Sequence, residues 1–156
     1  MKTLILYASK YGATQQIAER IKELIDNSII YDLSKTKDVD LKEYDCVVIG
    51  SSVYAGQAHK AVKEFMSKNL DKLKDKNLGL FICSLDKDNI DTYLKDNYPL
   101  EIIEKAIIKS HLGGIFDPKK AKSFERMIIK LVSKKADYVN TIEDKEIIEF
   151  AKHLKQ

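Results

Sequence analysis

The chain has 156 residues, of which 44% are hydrophobic and 33% are charged, and its formal net charge is +3. This length suits a single domain with one core, and the composition is typical of a folded globular protein. No apolar run approaches the roughly 20 residues of a membrane span. The charge is too small and too dispersed to indicate nucleic-acid binding. The apolar stretch near the N-terminus is too short for a signal peptide, so we expect a cytoplasmic protein.

Apolar runs and helical patterns alternate along the first half of the chain. Continuous apolar runs rich in β-forming residues predict strands at 3–8, 29–33 and 46–50, as expected of strands covered on both faces. Apolar residues at helical spacing predict two helices. Their buried stripes are Ile17, Ala18, Ile21, Leu24 and Ile25, and then Ala61, Val62, Phe65, Met66 and Leu70.

The second half continues this alternation. Residues 78–84 predict a fourth strand, and residues 110–116 predict a fifth that includes two adjacent glycines, which are unfavourable within strands. Pro99 stands where a helix can begin. The predicted helical stripes are Ile102, Ile103, Ala106 and Ile107, then Phe124, Met127, Ile128 and Leu131, and finally Ile147, Phe150, Ala151 and Leu154.

Strands that alternate with helices form right-handed βαβ crossovers, which build a parallel sheet with helices on both faces. We therefore predict one α/β domain over residues 1–156, with a doubly wound five-stranded sheet in the order 2-1-3-4-5. In such sheets, ligands bind beyond the carboxyl ends of the strands. The loops that follow strands 1, 3 and 4 are therefore the candidate site.

The first of these loops is SKYGAT, residues 9–14. Gly12 permits a tight turn, Ser9 and Thr14 can donate hydroxyl hydrogen bonds, and the first amides of the following helix favour an anion. The loop has neither a Walker lysine nor GxGxxG spacing. The same pattern also forms an ordinary turn with a helix N-cap, so a phosphate cradle and a plain cap are both open at this point.

The second loop, GSSVYAGQAH at residues 50–59, combines small hydroxyl side chains with an aromatic one. Tyr54 suits stacking on a flat ring, although a surface tyrosine needs no ligand. The third loop, SLDKDN at residues 84–89, is polar and contains Asp86 and Asp88. It suits either a site loop or a plain solvated one.

Three such loops at one edge of a sheet indicate a mononucleotide site. An isoalloxazine ring fits better than a nucleobase, because the loops supply no Mg²⁺ ligand and no hydrolytic machinery. A receiver domain has a similar fold, but it needs an acidic pair after strand 1 and an aspartate at the end of strand 3. This chain has Ser9, Lys10, Gly50 and Ser51 at those places.

At these loops the sequence resembles the flavodoxin family, whose phosphate loop reads roughly [T/S]-x-[S/T/Y]-G-x-[T/S]. Flavodoxin is itself a standard example of the sheet order predicted above. The resemblance implies an FMN-binding redox protein that transfers electrons between partners. It places around the phosphate Ser9, Lys10, Tyr11, Gly12, Ala13 and Thr14. It places around the ring Ser51, Ser52, Val53, Tyr54, Ala55, Gly56, Ser84, Leu85 and Asp86.

Charge near the ring bears on the reduction potential. Asp86 and Asp88 would surround the ring with negative charge, which disfavours the anionic reduced flavin and lowers its potential. The basic balance elsewhere in the chain makes this field milder than that of an acidic flavodoxin.

Within the family, three segments are similar to the menaquinone-dependent protoporphyrinogen oxidases of bacteria. They are MKTLILYASKYGATQQIA, YDCVVIGSSVYAGQAHKAVKEF and FERMIIKLVSKK, in the same order. The alternative function is therefore oxidation of a porphyrinogen through FMN, with a quinone as acceptor. A third function, a non-redox module that binds another phosphate ligand, is also open at this point.

Residues 117–135 carry seven basic and two acidic side chains, a net charge of +5, with an apolar stripe between them. One interpretation is weak peripheral contact with the anionic inner face of a membrane, and the other is a helix packed on the sheet. The three histidines share no spacing, so no metal site is predicted. Cys46 and Cys83 lie in apolar runs without a CxxC partner and are expected to be buried reduced thiols.

Overall fold

The computed structural model describes residues 1–36, 38–123, 126–127 and 137–155. The strands are β1 (Thr3–Ala8), β2 (Ser28–Asp32), β3 (Cys46–Tyr54), β4 (Gln57–Ala58), β5 (Asn77–Cys83), β6 (Ala106–His111), β7 (Ile115–Phe116) and β8 (Val139–Asn140). The helices are α1 (Ala13–Leu24), α2 (Lys60–Lys68), α3 (Leu70–Lys74), α4 (Ile90–Asn97), α5 (Leu100–Lys105) and α6 (Asp144–Leu154).

The five main strands form a parallel sheet in the order β2-β1-β3-β5-β6. Because β5 and β6 are the predicted fourth and fifth strands, this confirms the predicted order 2-1-3-4-5. The short strand β4 pairs antiparallel with the end of β3, and β7 and β8 form a separate antiparallel pair. Ala8 pairs with Ser51, and Ser52 pairs with Cys83. The carboxyl ends of β1, β3 and β5 therefore meet at one edge of the sheet.

Helices cover both faces of the sheet, as predicted. Every residue of β1 is buried, and side chains alternate between faces along a strand. Leu4 and Leu6 pack in the cluster formed with α2 to α5, whereas Ile5 packs with α1 and α6. The continuous apolar run is thus explained by a strand with a hydrophobic layer on each side.

The predicted fifth strand, at 110–116, is wrong in its extent. Strand β6 begins at Ala106, which was assigned to a helical stripe, and ends at His111. Helix α5 stops at Lys105, and Ala106 already has an extended backbone with φ −63° and ψ 122°. Gly113 then turns the chain at φ +89° before β7 starts at Ile115.

Other boundaries also differ from the prediction. Strand β3 continues to Tyr54, so half of the predicted second loop is strand. The predicted helix at 61–70 divides at Asn69, which ends α2 and precedes α3, and α4 forms where no helix was predicted. Helix α6 confirms the last predicted stripe.

Most of the basic segment at 117–135 lies outside the described residues, including Phe124, Ile128 and Leu131 of its predicted apolar stripe. Within the part of the chain that is described, no helix combines the length and the apolar character that crossing a membrane requires.

Candidate functional site

The loop between β1 and α1 turns sharply at Gly12. Its backbone lies in the left-handed region, at φ 96° and ψ −10°, which favours glycine. The Gly12 N–H donates a hydrogen bond of 3.0 Å to Ser9 Oγ, which closes the turn. A Cβ added at Gly12 would meet no heavy atom of the described residues within 4 Å, so this backbone faces open space in the part of the chain that is described. The loop is therefore accessible to a ligand.

Helix α1 begins directly after this turn; its N-cap residue, Gly12, has no side chain that could cap it, and its first turn contains no acidic residue. The first N–H groups of a helix have no acceptor within the helix, and the helix dipole makes this end positive. Among the described residues, the buried hydroxyl of Thr14 interacts only with the thiol of Cys83, a weak hydrogen-bonding group. These features fit an anion such as a phosphate better than a plain N-cap.

The second loop is a tight hairpin between β3 and β4. Its central residues Ala55 and Gly56 both have positive φ, 49° and 74°, as in a type I′ turn. Ser51 lies within β3, where its Oγ accepts a hydrogen bond of 2.9 Å from His59 N. Asn97 of α4 also fixes the hairpin, since its side chain accepts from Ala58 N at 2.8 Å and donates to Gly56 O at 2.9 Å. The hairpin thus holds Tyr54 in place.

The third loop is fixed by contacts that the sequence did not indicate. His111 Nε2, at the end of β6, donates to the carbonyl oxygen of Ser84 at 2.9 Å, and His111 Nδ1 accepts from Gly113 N at 3.4 Å. The ring is therefore neutral with its proton on Nε2. Burial lowers the pKa of His111, which favours this neutral form.

Asp86 shapes the same loop rather than the cavity beside it. Its carboxylate accepts from Asn89 Nδ2 at 2.6 Å, from Asp88 N at 3.1 Å and from Tyr93 OH at 3.3 Å. These donors, Asn89 first, hold the pKa of Asp86 below its ordinary value. The charge of Asp86 is thus directed into the loop.

The loops meet around a cavity of about 50 Å³. Nine predicted site residues line it: Ser9, Lys10, Tyr11, Ala13, Ser52, Val53, Tyr54, Ser84 and Leu85. The six predicted site residues that do not line it are Gly12, Thr14, Ser51, Ala55, Gly56 and Asp86. Four lining residues were missed: Cys83, Gly114, Ile115 and Phe116. The two adjacent glycines can indicate a loop that contains the last three, but the sequence prediction places this segment within the strand.

The cavity is lined by aromatic side chains and by the ammonium group of Lys10. The ring of Tyr11 meets those of Tyr54 and Phe116 edge to face, with centroids 6.4 Å and 5.6 Å apart. Lys10 Nζ lies 3.7 Å from the centroid of the Tyr54 ring. Burial raises the pKa of the Cys83 thiol to about 12, so this group is neutral. The described residues contain no cluster suited to a metal ion.

Two curated relatives are similar in sequence. An uncharacterized protein of Methanocaldococcus jannaschii is 32% identical over 154 residues, covering 83% of this chain and 99% of that protein. The protoporphyrinogen IX dehydrogenase [quinone] of Escherichia coli is 32% identical over 89 residues, covering 54% of this chain. That match spans 49% of the enzyme, about half of its length.

The fold is also found among solved structures. A Fusobacterium nucleatum flavodoxin bound to flavin mononucleotide superposes with a TM-score of 0.54 and 17% identity, covering 99% of this chain and 98% of that one. The family model of the flavodoxin domain matches residues 4–142 of this chain. With the sheet order and the three loops at its carboxyl edge, this match shows that the chain belongs to the flavodoxin domain family.

Proposed function

We propose that residues 1–156 form one domain that binds FMN and transfers electrons between redox partners. The observation that carries this proposal is the position of the uncapped start of α1 beside the aromatic cavity. The first feature suits a phosphate and the second a flat ring. The Fusobacterium nucleatum flavodoxin of the same fold is bound to flavin mononucleotide. When bound, FMN supplies the redox chemistry, and the protein supplies binding, orientation and electrostatics.

Different groups of the described residues would bind the phosphate and the ring of FMN. The first amides of α1, with Ser9 and Thr14, would hold the phosphate, and the face of Tyr54 would receive the ring. The cavity of about 50 Å³ is smaller than a typical small-molecule pocket, so side chains at its mouth must move. Lys10 is exposed and Tyr11 is half-buried, so both can turn aside.

The test compares FMN with riboflavin, which has the same ring without the phosphate. The purified protein is mixed with excess FMN and desalted, and we expect flavin absorption at about 450 nm to remain with the protein. The variant Gly12→Val should weaken FMN binding more than the weaker riboflavin binding, because valine at φ +96° strains the turn and its side chain enters the open space above the loop. A colourless wild-type protein would refute the proposal and favour a module for another phosphate ligand.

A second candidate function is the oxidation of a porphyrinogen with a quinone as acceptor. It is favoured by the 32% identity to protoporphyrinogen IX dehydrogenase [quinone] of Escherichia coli over 89 residues. The assay follows porphyrin fluorescence during incubation of the FMN-loaded protein with protoporphyrinogen and a menaquinone analogue. Protein-dependent turnover supports this enzyme, and its absence in a flavin-loaded sample leaves the electron carrier.

Members of the flavodoxin family transfer electrons to partner proteins, and here the partner would be a redox protein or a quinone. We place the chain in the cytoplasm, supported by two buried free cysteines. The net charge of +5 over residues 117–135 supports weak peripheral contact with the inner face of the membrane. Sedimentation with anionic liposomes at low salt tests this contact, and protein that stays wholly in the supernatant would remove it.

A further inference from the structure

We propose that Thr141 is a positioning residue for the flavin ring, because it holds residues 114–116 in place as a fourth wall of the cavity. This inference rests on the proposed binding of FMN at the same site. Thr141 follows β8 in the chain, lies outside the three loops and does not itself line the cavity. Its role would therefore be exerted through the wall that it holds.

The wall formed by residues 114–116 lies shortly after β6, and all three of its residues line the cavity. The buried ring of Phe116 meets the ring of Tyr11 edge to face, with centroids 5.6 Å apart. At the other end of the wall, the backbone of Gly114 approaches the third loop closely, since an added Cβ would lie 2.6 Å from the carbonyl carbon of Ser84. The wall therefore contacts both the first and the third loop.

Thr141 bonds both polar groups of the Gly114 backbone. Gly114 N donates to Thr141 Oγ1 at 3.0 Å, and Thr141 N donates to Gly114 O at 2.9 Å. Gly113 also lies against this residue, since an added Cβ there would be 2.5 Å from Thr141 O. Beyond these contacts, β7 and β8 continue as an antiparallel pair. Thr141 thus fixes the wall at the end that touches the third loop.

The hydroxyl of Thr141 can be removed without disturbing the core. Thr141 is an exposed residue, and valine retains its branched shape, so the bond from residue 141 N to Gly114 O can remain. The Gly114 N–H would lose the acceptor Oγ1, and the wall would be held less firmly. A binding surface that is already in place costs less to order when the ligand arrives. Loss of the hydroxyl should therefore appear as weaker binding of the ring.

The experiment compares Thr141→Val with Thr141→Ser, which keeps the hydroxyl. Affinities for FMN and for riboflavin, which has the ring without the phosphate, are measured by quenching of flavin fluorescence. Thr141→Val should weaken both by the same factor, about fivefold, as expected for the loss of one hydrogen bond. Thr141→Ser should bind both flavins as the wild type does. Gly12→Val, which alters the phosphate loop, should in contrast weaken FMN more than riboflavin.

The matched control is Ser28→Ala. Ser28 Oγ donates to Ile25 O at 2.7 Å, and Ser28 pairs with Thr3 where β1 and β2 begin, at the edge of the sheet opposite the cavity. Its loss should lower the free energy of unfolding in urea and leave both affinities unchanged. Thr141→Ala also removes the hydroxyl and provides the same test if the valine variant does not fold.

Three results would each overturn the inference. They are wild-type affinities in the variants that lack the hydroxyl, a loss of affinity for FMN alone in those variants, and an equal loss in Thr141→Ser. If the wild-type protein retains no FMN, the proposed function itself fails, which the absorption spectrum shows before any affinity is measured.

Discussion

Gly114 is the point at which the chain after β6 touches the third loop, so Gly114→Ala tests how the cavity is built. A Cβ at Gly114 would clash with the carbonyl oxygen of Ser84 and lie 2.6 Å from its carbonyl carbon. Carbon atoms pack at about 3.5 Å or more, so the two backbone segments must separate by roughly 0.9 Å. Overpacking of this kind costs about 1–3 kcal/mol of unfolding free energy.

The same separation should alter the site. Ser84, Leu85 and Gly114 all line the cavity, and the His111–Ser84 hydrogen bond of 2.9 Å would be stretched beyond the usual range. We expect FMN affinity to fall about tenfold, which corresponds to ~1.4 kcal/mol. Quenching of FMN fluorescence on binding measures this affinity, and urea unfolding measures stability.

Gly79→Ala is the matched control. Its Cβ would lie 2.6 Å from Leu154 Cδ2, so it also overpacks, but it meets the end of a side chain. Gly79 lies five residues before Ser84 along β5, about 16 Å away at the rise of a strand. Gly79→Ala should therefore lose stability and keep its FMN affinity. The reasoning is refuted if Gly114→Ala binds FMN as the wild type does, or if both variants lose affinity equally.

Three further predictions concern protons, thiols and the hairpin. Burial lowers the pKa of His111 in the folded chain below the ordinary value of 6.5. The free energy of unfolding should therefore keep its full value above pH 6.5 and should decrease as the pH falls through the folded pKa. Urea unfolding of His111→Gln over the same pH range should show a smaller decrease. Burial raises the pKa of Cys46 to about 11 and of Cys83 to about 12, so a colorimetric thiol reagent should label neither until the chain is unfolded. Asn97→Ala removes two hydrogen bonds from the hairpin and should cost about 1–3 kcal/mol in urea unfolding while weakening FMN binding.

The sheet could be predicted from the sequence because its central strands are covered on both faces. Continuous apolar runs such as the one in β1 allow few other interpretations when turns and helical patterns lie between them. The error between Pro99 and Phe116 has a local cause. Isoleucines at 102, 103, 107 and 108 fit the stripe of one long helix, but the chain changes from helix to strand at Ala106. Periodicity alone cannot locate that change, because pairing with β5 decides it.

The loops of the site could be predicted for a similar reason. The rule that ligands bind beyond the carboxyl ends of the strands depends only on strand order, which the sequence indicates. The direction of individual side chains depends on contacts that strand order does not determine. Asp86 is directed into its own loop by Asn89 and by Tyr93, and His111 reaches Ser84 from a neighbouring strand. The sequence therefore did not indicate that the Asp86 carboxylate accepts hydrogen bonds within its own loop, or that His111 fixes that loop.

The rigid and adjustable parts of the cavity have different origins in the fold. Beneath the carboxyl edge, the ring of Phe81 on β5 packs directly over Gly50 of β3, where any Cβ would clash with it, and it meets Phe150 of α6 with centroids 5.9 Å apart. This packing fixes the two strands that carry the second and third loops. Lys10, in contrast, is an exposed residue of a loop, and its ammonium group lies over the ring of Tyr54, 3.7 Å from the centroid. A ligand that enters the cavity can therefore displace Lys10, while the two strands that carry the second and third loops remain in place.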